Sequence, residues 1–153
     1  MTILELNERQ DITQNRELNR IYNQFGSLLK ELNKRQLPDD ITEQINQDVN
    51  EVNTTHQTGS ELLKLVKQKQ TKVVALVEKQ LKIVPQKYYS KLWLATGMAT
   101  FGLPIGVVFG LSMGNMGMMA IGLPIGMAIG TAVGAGMDKK ALQEGRQLDI
   151  EIK

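Results

Sequence analysis

Side chains that commonly carry catalysis are scarce in this sequence of 153 residues, which contains no cysteine and a single histidine, His56. Without cysteine there is no thiol nucleophile, thiolate zinc site or disulfide, and one histidine argues against a histidine-based metal site or catalytic triad. No phosphate-binding loop or nucleophile–base motif is present either. The sequence therefore predicts no catalytic residue, no metal site and no cofactor, and we expect a protein that is not an enzyme.

His56 has two interpretations. It falls on an apolar helical seam, where a histidine could act as a pH-sensitive or register-fixing polar group. The residues around it, Thr54, Thr55, Thr58 and Gly59, are instead typical of a loosened stretch that is open to water. We expect the second arrangement.

The most regular pattern in the sequence is a glycine at every fourth position of an uncharged stretch. Eleven of the 14 glycines lie between Leu92 and Met137, a range without any charged residue. Four-residue spacing places glycines along one face of a helix, where a second backbone can approach closely. Glycine also disfavours helix formation, so its enrichment inside a helix indicates a packing role. The predicted helix-packing residues are Gly102, Gly106, Gly110 and Gly114 in one run, and Gly122, Gly126, Gly130 and Gly134 in the other.

The uncharged stretch is long enough to cross a membrane twice. Its 46 residues would form a helix of about 69 Å at about 1.5 Å per residue, more than twice the ~30 Å hydrocarbon core of a bilayer. Turn residues at 114–117 divide it into two spans, about 92–113 and 116–137. The alternative is a buried hairpin of a soluble protein, which we disfavour because long soluble helices keep a charged face.

Aromatic and basic residues flank the two spans. Aromatic side chains and lysines are common where a span meets the membrane surface, and an excess of lysine and arginine marks the cytoplasmic side. The turn between the spans carries no charge, so both termini are predicted to lie in the cytoplasm. The predicted membrane-interface residues are Lys87, Tyr88, Tyr89, Lys91, Trp93, Lys139 and Lys140.

Three prolines lie in or beside the spans. Each removes a backbone hydrogen bond and can bend a helix. Pro104 and Pro124 occupy equivalent places in two copies of a Gly-Leu-Pro-Ile-Gly motif, 102–106 and 122–126. They could serve as hinges, but we favour static kinks. Pro85 is predicted to break or kink a helix just before the first span.

Residues 97–140 resemble the bacterial glycine-zipper membrane proteins, which contain hairpins with Gly-xxx-Gly-xxx-Gly repeats. The resemblance extends through Gly130-Thr-Ala-Val-Gly134 and Gly136-Met-Asp-Lys-Lys140. It implies close helix packing in a membrane, often with self-assembly, and it implies no reaction. Together with the charge distribution, it leads us to expect the cytoplasmic (inner) membrane of a bacterium, with both termini cytoplasmic.

The residues before the spans predict a second helical region. An apolar 4-3 pattern within residues 8–36 indicates an amphipathic helix, and Asp40 with Glu43 has the spacing of a capping box for the next one. From Ile45 to Val84 a similar seam continues, which predicts a two-helix hairpin or a multi-chain coiled coil. The Gln- and Asn-rich surface of residues 7–57 is expected to be a solvated helical face.

Residues 62–91, which we call the basic neck, contain eight lysines and one acidic residue. Its position beside a span favours contact with anionic lipid over nucleic acid, for which no motif is present. The sequence thus predicts an all-α membrane protein in which a cytoplasmic helical hairpin or coiled coil precedes a glycine-rich transmembrane hairpin. Its regions are a cytoplasmic helical part (1–84), a basic and aromatic juxtamembrane neck (85–91), the hairpin (92–137) and a cytoplasmic tail (138–153).

Two functions fit this organisation. The first, which the sequence favours, is a homo-oligomer assembled through its cytoplasmic helices and glycine faces, with a pore or channel as one form of that assembly. The second is a non-conducting anchor or adaptor that recruits a cytoplasmic protein through its N-terminal helices. Ionisable residues, which mark most transport pathways, are absent from the spans, and this argues against a coupled transporter.

Overall fold

The computed structural model describes residues 1–152, and these are largely helical. The chain forms two compact units, residues 1–84 with 148–152 and residues 85–147. The helices and strands are α1 (Arg16–Asn33), α2 (Asp39–Thr54), α3 (Gly59–Leu81), β1 (Val84–Gln86), α4 (Tyr88–Gly97), α5 (Leu103–Ser112), α6 (Gly122–Gln143) and β2 (Gln147–Glu151), with short 3-10 helices at Asp11–Gln14 and Met116–Ile121 and a π-helical turn at Met98–Gly102.

Three helices build the N-terminal unit. Helix α3 packs against both α1 and α2, and each helix turns an apolar face towards the others. Such a face is what drives an amphipathic helix to pack, because it removes apolar surface from water. On α1 the predicted seam is buried throughout, with Leu18, Phe25 and Leu32 having no exposed surface.

The structure differs from the sequence-based description between α2 and α3. The predicted seam is interrupted after Thr54, and α3 starts at Gly59 with a φ of 56°. At the start of α3 Leu62 is buried in place of Leu63, whereas Val66, Val73 and Val77 of the predicted seam are buried as expected. His56 lies in the break and is exposed, in agreement with the water-accessible interpretation.

Other local predictions are also revised. The capping-box prediction is wrong, because Pro38 occupies the N-cap position of α2 and no side chain caps that end. Helix α3 ends at Leu81, with Lys82 in a left-handed conformation (φ 57°). Pro85 therefore lies in β1 rather than at a helix kink. The predicted C-terminal tail begins inside α6, continues into β2, and contributes residues 148–152 to the N-terminal unit.

Two strands accompany the helices. β1 and β2 form a two-stranded sheet, which the all-α description did not include. Leu148 of β2 is buried in the N-terminal unit, and the Gln24 side chain of α1 donates to the Glu151 carbonyl at 3.1 Å. These contacts attach the C-terminal strand to the face of α1.

A buried carboxylate links α2 to α3. The Asp48 side chain is 3% exposed, and its Oδ1 accepts from Lys69 Nζ at 2.9 Å and from Lys72 Nζ at 2.8 Å. Lys69 also bonds the Glu51 carboxylate at 2.5 Å. Burial lowers the pKa of Lys69, but its bonds to Glu51 and Asp48 outweigh this and hold the pKa above the usual lysine value. The ammonium of Lys69 therefore stays charged in the folded protein.

Lys69→Met should destabilise the N-terminal unit by about 3 kcal/mol. The buried Asp48 carboxylate would lose its buried partner and keep only Lys72, whose side chain is largely exposed. Asp48→Leu combined with Lys69→Met should recover most of this loss, since no buried charge remains. The measurement is hydrogen–deuterium exchange of the core amides of α2 and α3 in the full chain, compared between the single and the double variant. Equal protection in the single and double variants would contradict the prediction.

The same pair predicts a pH dependence. A lysine whose pKa is raised on folding stabilises the protein fully below its unfolded pKa of about 10.4, and this contribution is lost as pH rises through the folded value. The protection difference between wild type and Lys69→Met should thus be constant from neutral pH to about pH 10 and shrink above it. A difference that shrinks already near neutral pH would contradict this assignment.

Candidate functional site

Two long apolar helices dominate the second unit. They cover Tyr88–Ser112 and Met116–Gln143, and they have 25 and 28 residues. At about 1.5 Å per residue these helices measure about 37 and 42 Å, so each is long enough to cross a ~30 Å hydrocarbon core. Both are also apolar enough to do so. We call them the first and second apolar helices.

The glycines of the two helices face each other. A Cβ atom placed on Gly122 would lie 2.1 Å from the Gly102 carbonyl oxygen, and one on Gly130 would lie 2.0 Å from the Trp93 carbonyl oxygen. These distances are far below van der Waals contact, and the neighbouring atoms belong to backbone that cannot rotate away. The helices are therefore packed backbone against backbone, along a face that only glycine permits.

The contact continues along the length of the hairpin. A Cβ on Gly106 would meet the Met119 carbonyl oxygen at 2.4 Å, and one on Gly134 would meet the Tyr89 carbonyl oxygen at 2.5 Å. At Gly110 the nearest atom is the Met119 side chain, at 2.7 Å, and a flexible side chain can move. The requirement for glycine is thus strongest in the middle of the hairpin and at the end near Tyr89, and weaker near the turn.

Two glycines differ from the sequence-based assignment. Gly114 has a φ of 63° and no atom within 4 Å of the place where a Cβ would lie, so it forms the turn instead of a helix contact. Gly97, which was not predicted to pack, lies at the interface, where a Cβ would be 2.5 Å from the Gly126 carbonyl oxygen. Its spacing of five from Gly102 hid it, because an α-helix repeats on one face after three or four residues.

A π-helical turn explains how Gly97 reaches the same face as Gly102. The segment Met98–Gly102 is π-helical, and the Leu103 amide donates to the Met98 carbonyl five residues earlier. Such a turn inserts one extra residue into the helix. The five-residue spacing therefore acts as a four-residue spacing, and the glycine face continues from Gly97 into α5.

The prolines occur next to these irregular turns. Pro104 is in the first turn of α5, directly after the π-helical turn, and Pro124 is in the first turn of α6, directly after the 3-10 helix. Gly102 and Ile121, which precede α5 and α6, are themselves helical, so each proline lies inside a continuous apolar helix. A local change of helix type is one way in which the backbone groups freed by a proline are satisfied. Both prolines are thus accommodated where the helix type changes.

Asp138 closes the end of the hairpin and was missed in the sequence. Its carboxylate accepts from the Tyr89 amide at 3.0 Å, the Ser90 amide at 2.9 Å and the Ser90 hydroxyl at 2.6 Å. These amides belong to the first turn of α4, whose N-cap residue Lys87 makes no capping hydrogen bond with its side chain. Asp138 follows Gly134 by four residues, so extending the glycine series by one step would have identified it.

The predicted interface residues gather at this same end of the hairpin. Tyr88 and Tyr89 pack edge to face, with ring centroids 5.2 Å apart. Lys91 is exposed and Trp93 half-buried on α4, while Lys139 and Lys140 are exposed near the end of α6. Because Gly134 packs on Tyr89, the lysines of both helices lie at the same end of the hairpin.

The outward surface of the hairpin is apolar. Large exposed side chains occur on both helices, including Val108 at 63% and Leu111 at 70% exposed. The hydroxyls of Thr96 and Thr100 bond the carbonyls of Leu92 and Thr96, four residues earlier. These polar groups are therefore satisfied within their helix and need no water.

Several lysines of the basic neck are engaged in the N-terminal unit. Lys67 bonds Glu17 at 2.6 Å, and Lys69 and Lys72 bond the buried Asp48. These three cations support helix packing. Lys87 and Lys91 lie closer to the first apolar helix and are both exposed.

Comparisons of the chain with protein-family models, with curated proteins and with solved structures found no match. Within residues 1–152, no group of three or more His, Cys, Asp or Glu residues could hold a metal ion. The hairpin consists of two apolar helices joined by close backbone contact.

Gly130→Ala should strongly destabilise the hairpin, because its methyl group would overlap the Trp93 carbonyl. Gly136→Ala is a matched control on the same helix, since no atom lies within 4 Å of that position, and alanine there should be neutral or stabilise the helix by up to about 1 kcal/mol. Thermal unfolding in detergent, followed by circular dichroism, compares them. Similar melting temperatures for the two variants would contradict the close packing.

Asp138→Ala should loosen the start of α4, because two amides lose their acceptor. Loss of a helix cap costs about 1–2 kcal/mol, which corresponds to about 5–30-fold faster exchange of the Tyr89 and Ser90 amides. Lys139→Ala, at the exposed neighbouring position, should leave their exchange unchanged. Unchanged exchange in Asp138→Ala, measured by hydrogen–deuterium exchange, would show that the carboxylate does not cap α4.

Proposed function

We propose that this protein is a non-conducting membrane anchor that holds its N-terminal helical unit at the cytoplasmic surface. The observation that carries this proposal is where the glycine faces lie. They are buried between the two apolar helices of a single chain, and the surface left outside is apolar. A hairpin with these properties is suited to lipid on all sides.

The same observation disfavours a pore. A water-filled pore needs a face with polar or charged groups, and the spans contain no ionisable residue. The glycine faces, which could otherwise have joined neighbouring chains, are already occupied by the partner helix. In this proposal the glycine faces pack the two helices of one chain and do not join neighbouring chains.

The charges support one orientation in the membrane. Lys87 precedes the first apolar helix and Lys91 lies in its first turn, Lys139 and Lys140 lie near the end of the second, and the turn between the helices is uncharged. The positive-inside rule then puts both ends of the hairpin on the cytoplasmic side of a bacterial inner membrane. Lysines at this depth also attract anionic lipid, by about 1 kcal/mol each.

The N-terminal unit is the part that such an anchor would present. This unit is formed by three helices around an apolar core of its own, with a buried ion pair between Lys69 and Asp48. In this proposal its folding does not depend on apolar contact with lipid. An anchor of this type serves to localise whatever the helical unit binds, and it needs no catalytic residue.

Two aliphatic positions with similar exposure allow a direct test of insertion. Val108 is 63% exposed within the first apolar helix, and Leu142 is 62% exposed near the end of the second, beyond Lys140. Val108→Asp should reduce insertion, since a charge in the hydrocarbon costs about 2.5–3.5 kcal/mol, whereas Leu142→Asp should be tolerated. The measurement is the fraction of full-length protein that stays with liposomes after alkaline extraction.

Equal behaviour of the two variants in that extraction would contradict membrane insertion. Conduction is tested separately, with wild-type protein in liposomes that contain anionic phospholipid and a trapped dye. We expect no more leakage than from protein-free liposomes, with or without osmotic tension. Leakage that rises with protein content would instead support the oligomeric pore.

A further inference from the structure

An N-terminal segment, residues 2–9, lies between α1 and α2 and is held by asparagine side chains. Asn46 accepts from the Leu4 amide at 2.7 Å and donates to the Thr2 carbonyl at 3.0 Å. Asn53 repeats this arrangement with the Asn7 amide and the Glu5 carbonyl, both at 2.9 Å. These asparagines were expected to face solvent, but each binds the backbone of the segment with both ends of its amide.

A third asparagine binds the segment from α1. Asn33 accepts from the Ile3 amide at 2.8 Å and donates to the Ile3 carbonyl at 2.9 Å. Together with Asn46 and Asn53 it forms what we call the asparagine ladder. Its six hydrogen bonds are all made to backbone, so the ladder recognises an extended peptide irrespective of most of its side chains.

The spacing of the ladder matches an extended chain. Asn46 and Asn53 are seven residues apart on α2, which is about 10.5 Å at about 1.5 Å per residue. The segment advances three residues between the two asparagines, and three extended residues cover about 10 Å. Helix and segment therefore run in register without strain.

Side chains of the segment follow a three-residue period. Ile3 is buried at 5% exposed, Leu6 is half-buried, and Arg9 donates to the carbonyls of Thr55 and Gln57 at 3.2 and 2.9 Å. A three-residue period is that of a polyproline-II-like chain. We call the surface between α1 and α2 that holds the segment the groove. It therefore selects an aliphatic residue at the position of Ile3, a second one at that of Leu6 and a basic residue at that of Arg9.

The segment is held at the surface of the unit. Ile3 is its one deeply buried side chain, Leu4 is 47% exposed, and an open cleft of about 680 Å³ separates residues 5–10 from the α1 face around Tyr22 and Gly26. Tyr22 reaches across with a bond to the Asn7 carbonyl at 2.8 Å. Apart from Ile3, the segment is thus held mainly by polar contacts at the surface of the unit.

We propose that the asparagine ladder is a binding site for an extended peptide and that it accepts residues 2–9 of a second copy of the chain. Exchange of an identical segment preserves every hydrogen bond of the ladder, so its cost is limited to bringing two copies together. This chain's own segment is also the one peptide whose side-chain pattern is seen to fit. The inference concerns the N-terminal unit and holds whether or not the hairpin enters a membrane.

Cysteine pairs can detect the exchange, because the chain has no native cysteine. Leu4→Cys labels the segment, and Asn50→Cys labels α2 between Asn46 and Asn53. Full-length copies with one change each, and with tags of different size, are mixed in detergent and treated with a short thiol–thiol cross-linker. We expect dimers containing both tags, in amounts that rise with protein concentration.

The double variant Leu4→Cys/Asn50→Cys serves as the reach control. If it cross-links within one chain while the mixed single variants do not cross-link, the segment stays in its own groove and the proposal is overturned. If neither preparation cross-links, the groove does not hold the segment, which overturns it as well.

Ladder variants show whether the groove is the contact. For this test the copy with Asn50→Cys also carries Ile3→Asp and Leu6→Asp, which release its own segment and leave its groove empty. Asn53→Ala in this receiving copy should lower mixed dimers by about tenfold, because the incoming segment loses two backbone hydrogen bonds. Asn53→Ala in the copy with Leu4→Cys weakens that copy's own groove instead and should raise mixed dimers. Gln47→Ala, an exposed change on the same helix, should have no effect. Mixed dimers that persist unchanged in Asn53→Ala would show that the copies meet elsewhere, and would overturn the proposal.

A free peptide with the sequence of residues 1–10 should compete with the exchange and reduce mixed dimers. The same peptide with Ile3→Asp and Leu6→Asp should compete much less. If both peptides compete equally, the groove takes any extended peptide, and the assignment to a second copy is wrong.

Discussion

The contact between the two apolar helices depends on the absence of side chains along one face of each. Carbonyl oxygens of the first helix lie within 2.0–2.6 Å of where Cβ atoms of Gly122, Gly126, Gly130 and Gly134 would stand. No other residue fits there without moving a backbone. In hydrocarbon, where apolar burial gives no advantage, such close dispersion contact is a main source of helix association.

Other features of the hairpin maintain this contact. The π-helical turn Met98–Gly102 returns Gly97 to the common face, and each proline lies directly after a change of helix type. Where the glycine series ends, Asp138 takes the next position and caps α4. The close contact therefore fixes both the helical irregularities and the site of the one buried carboxylate in the described part of this unit.

The N-terminal unit is specified in a different way. Its core is apolar, but the pairing of α2 with α3 is fixed by Asp48 and its lysines, and the N-terminal segment is fixed by asparagines. Polar contacts of this kind add little net stability, because they replace bonds to water. Their directionality selects one register and one path for the chain. In a small unit, they distinguish the native arrangement from other apolar packings of the same helices.

These two modes of packing suit different partners. The hairpin satisfies its backbone internally and has an apolar outer surface, as the proposed membrane anchor requires. The N-terminal unit keeps a peptide-binding groove at its surface, and the occupant of that groove is held by backbone bonds. Recognition by this protein is therefore expected to reside in the polar unit, with the glycine hairpin providing location.

The sequence by itself determined the helical class, the apolar stretch with two helices long enough to span a membrane, and the buried seam of α1. These follow from composition and local periodicity, which act within one or two helical turns. The tertiary structure decided that the glycine faces meet within one chain, that Gly97 joins them, and that Asp138 and the asparagines bind distant backbone. Such pairings join residues 30 to 50 positions apart, and no local pattern reports which distant backbone a side chain will reach.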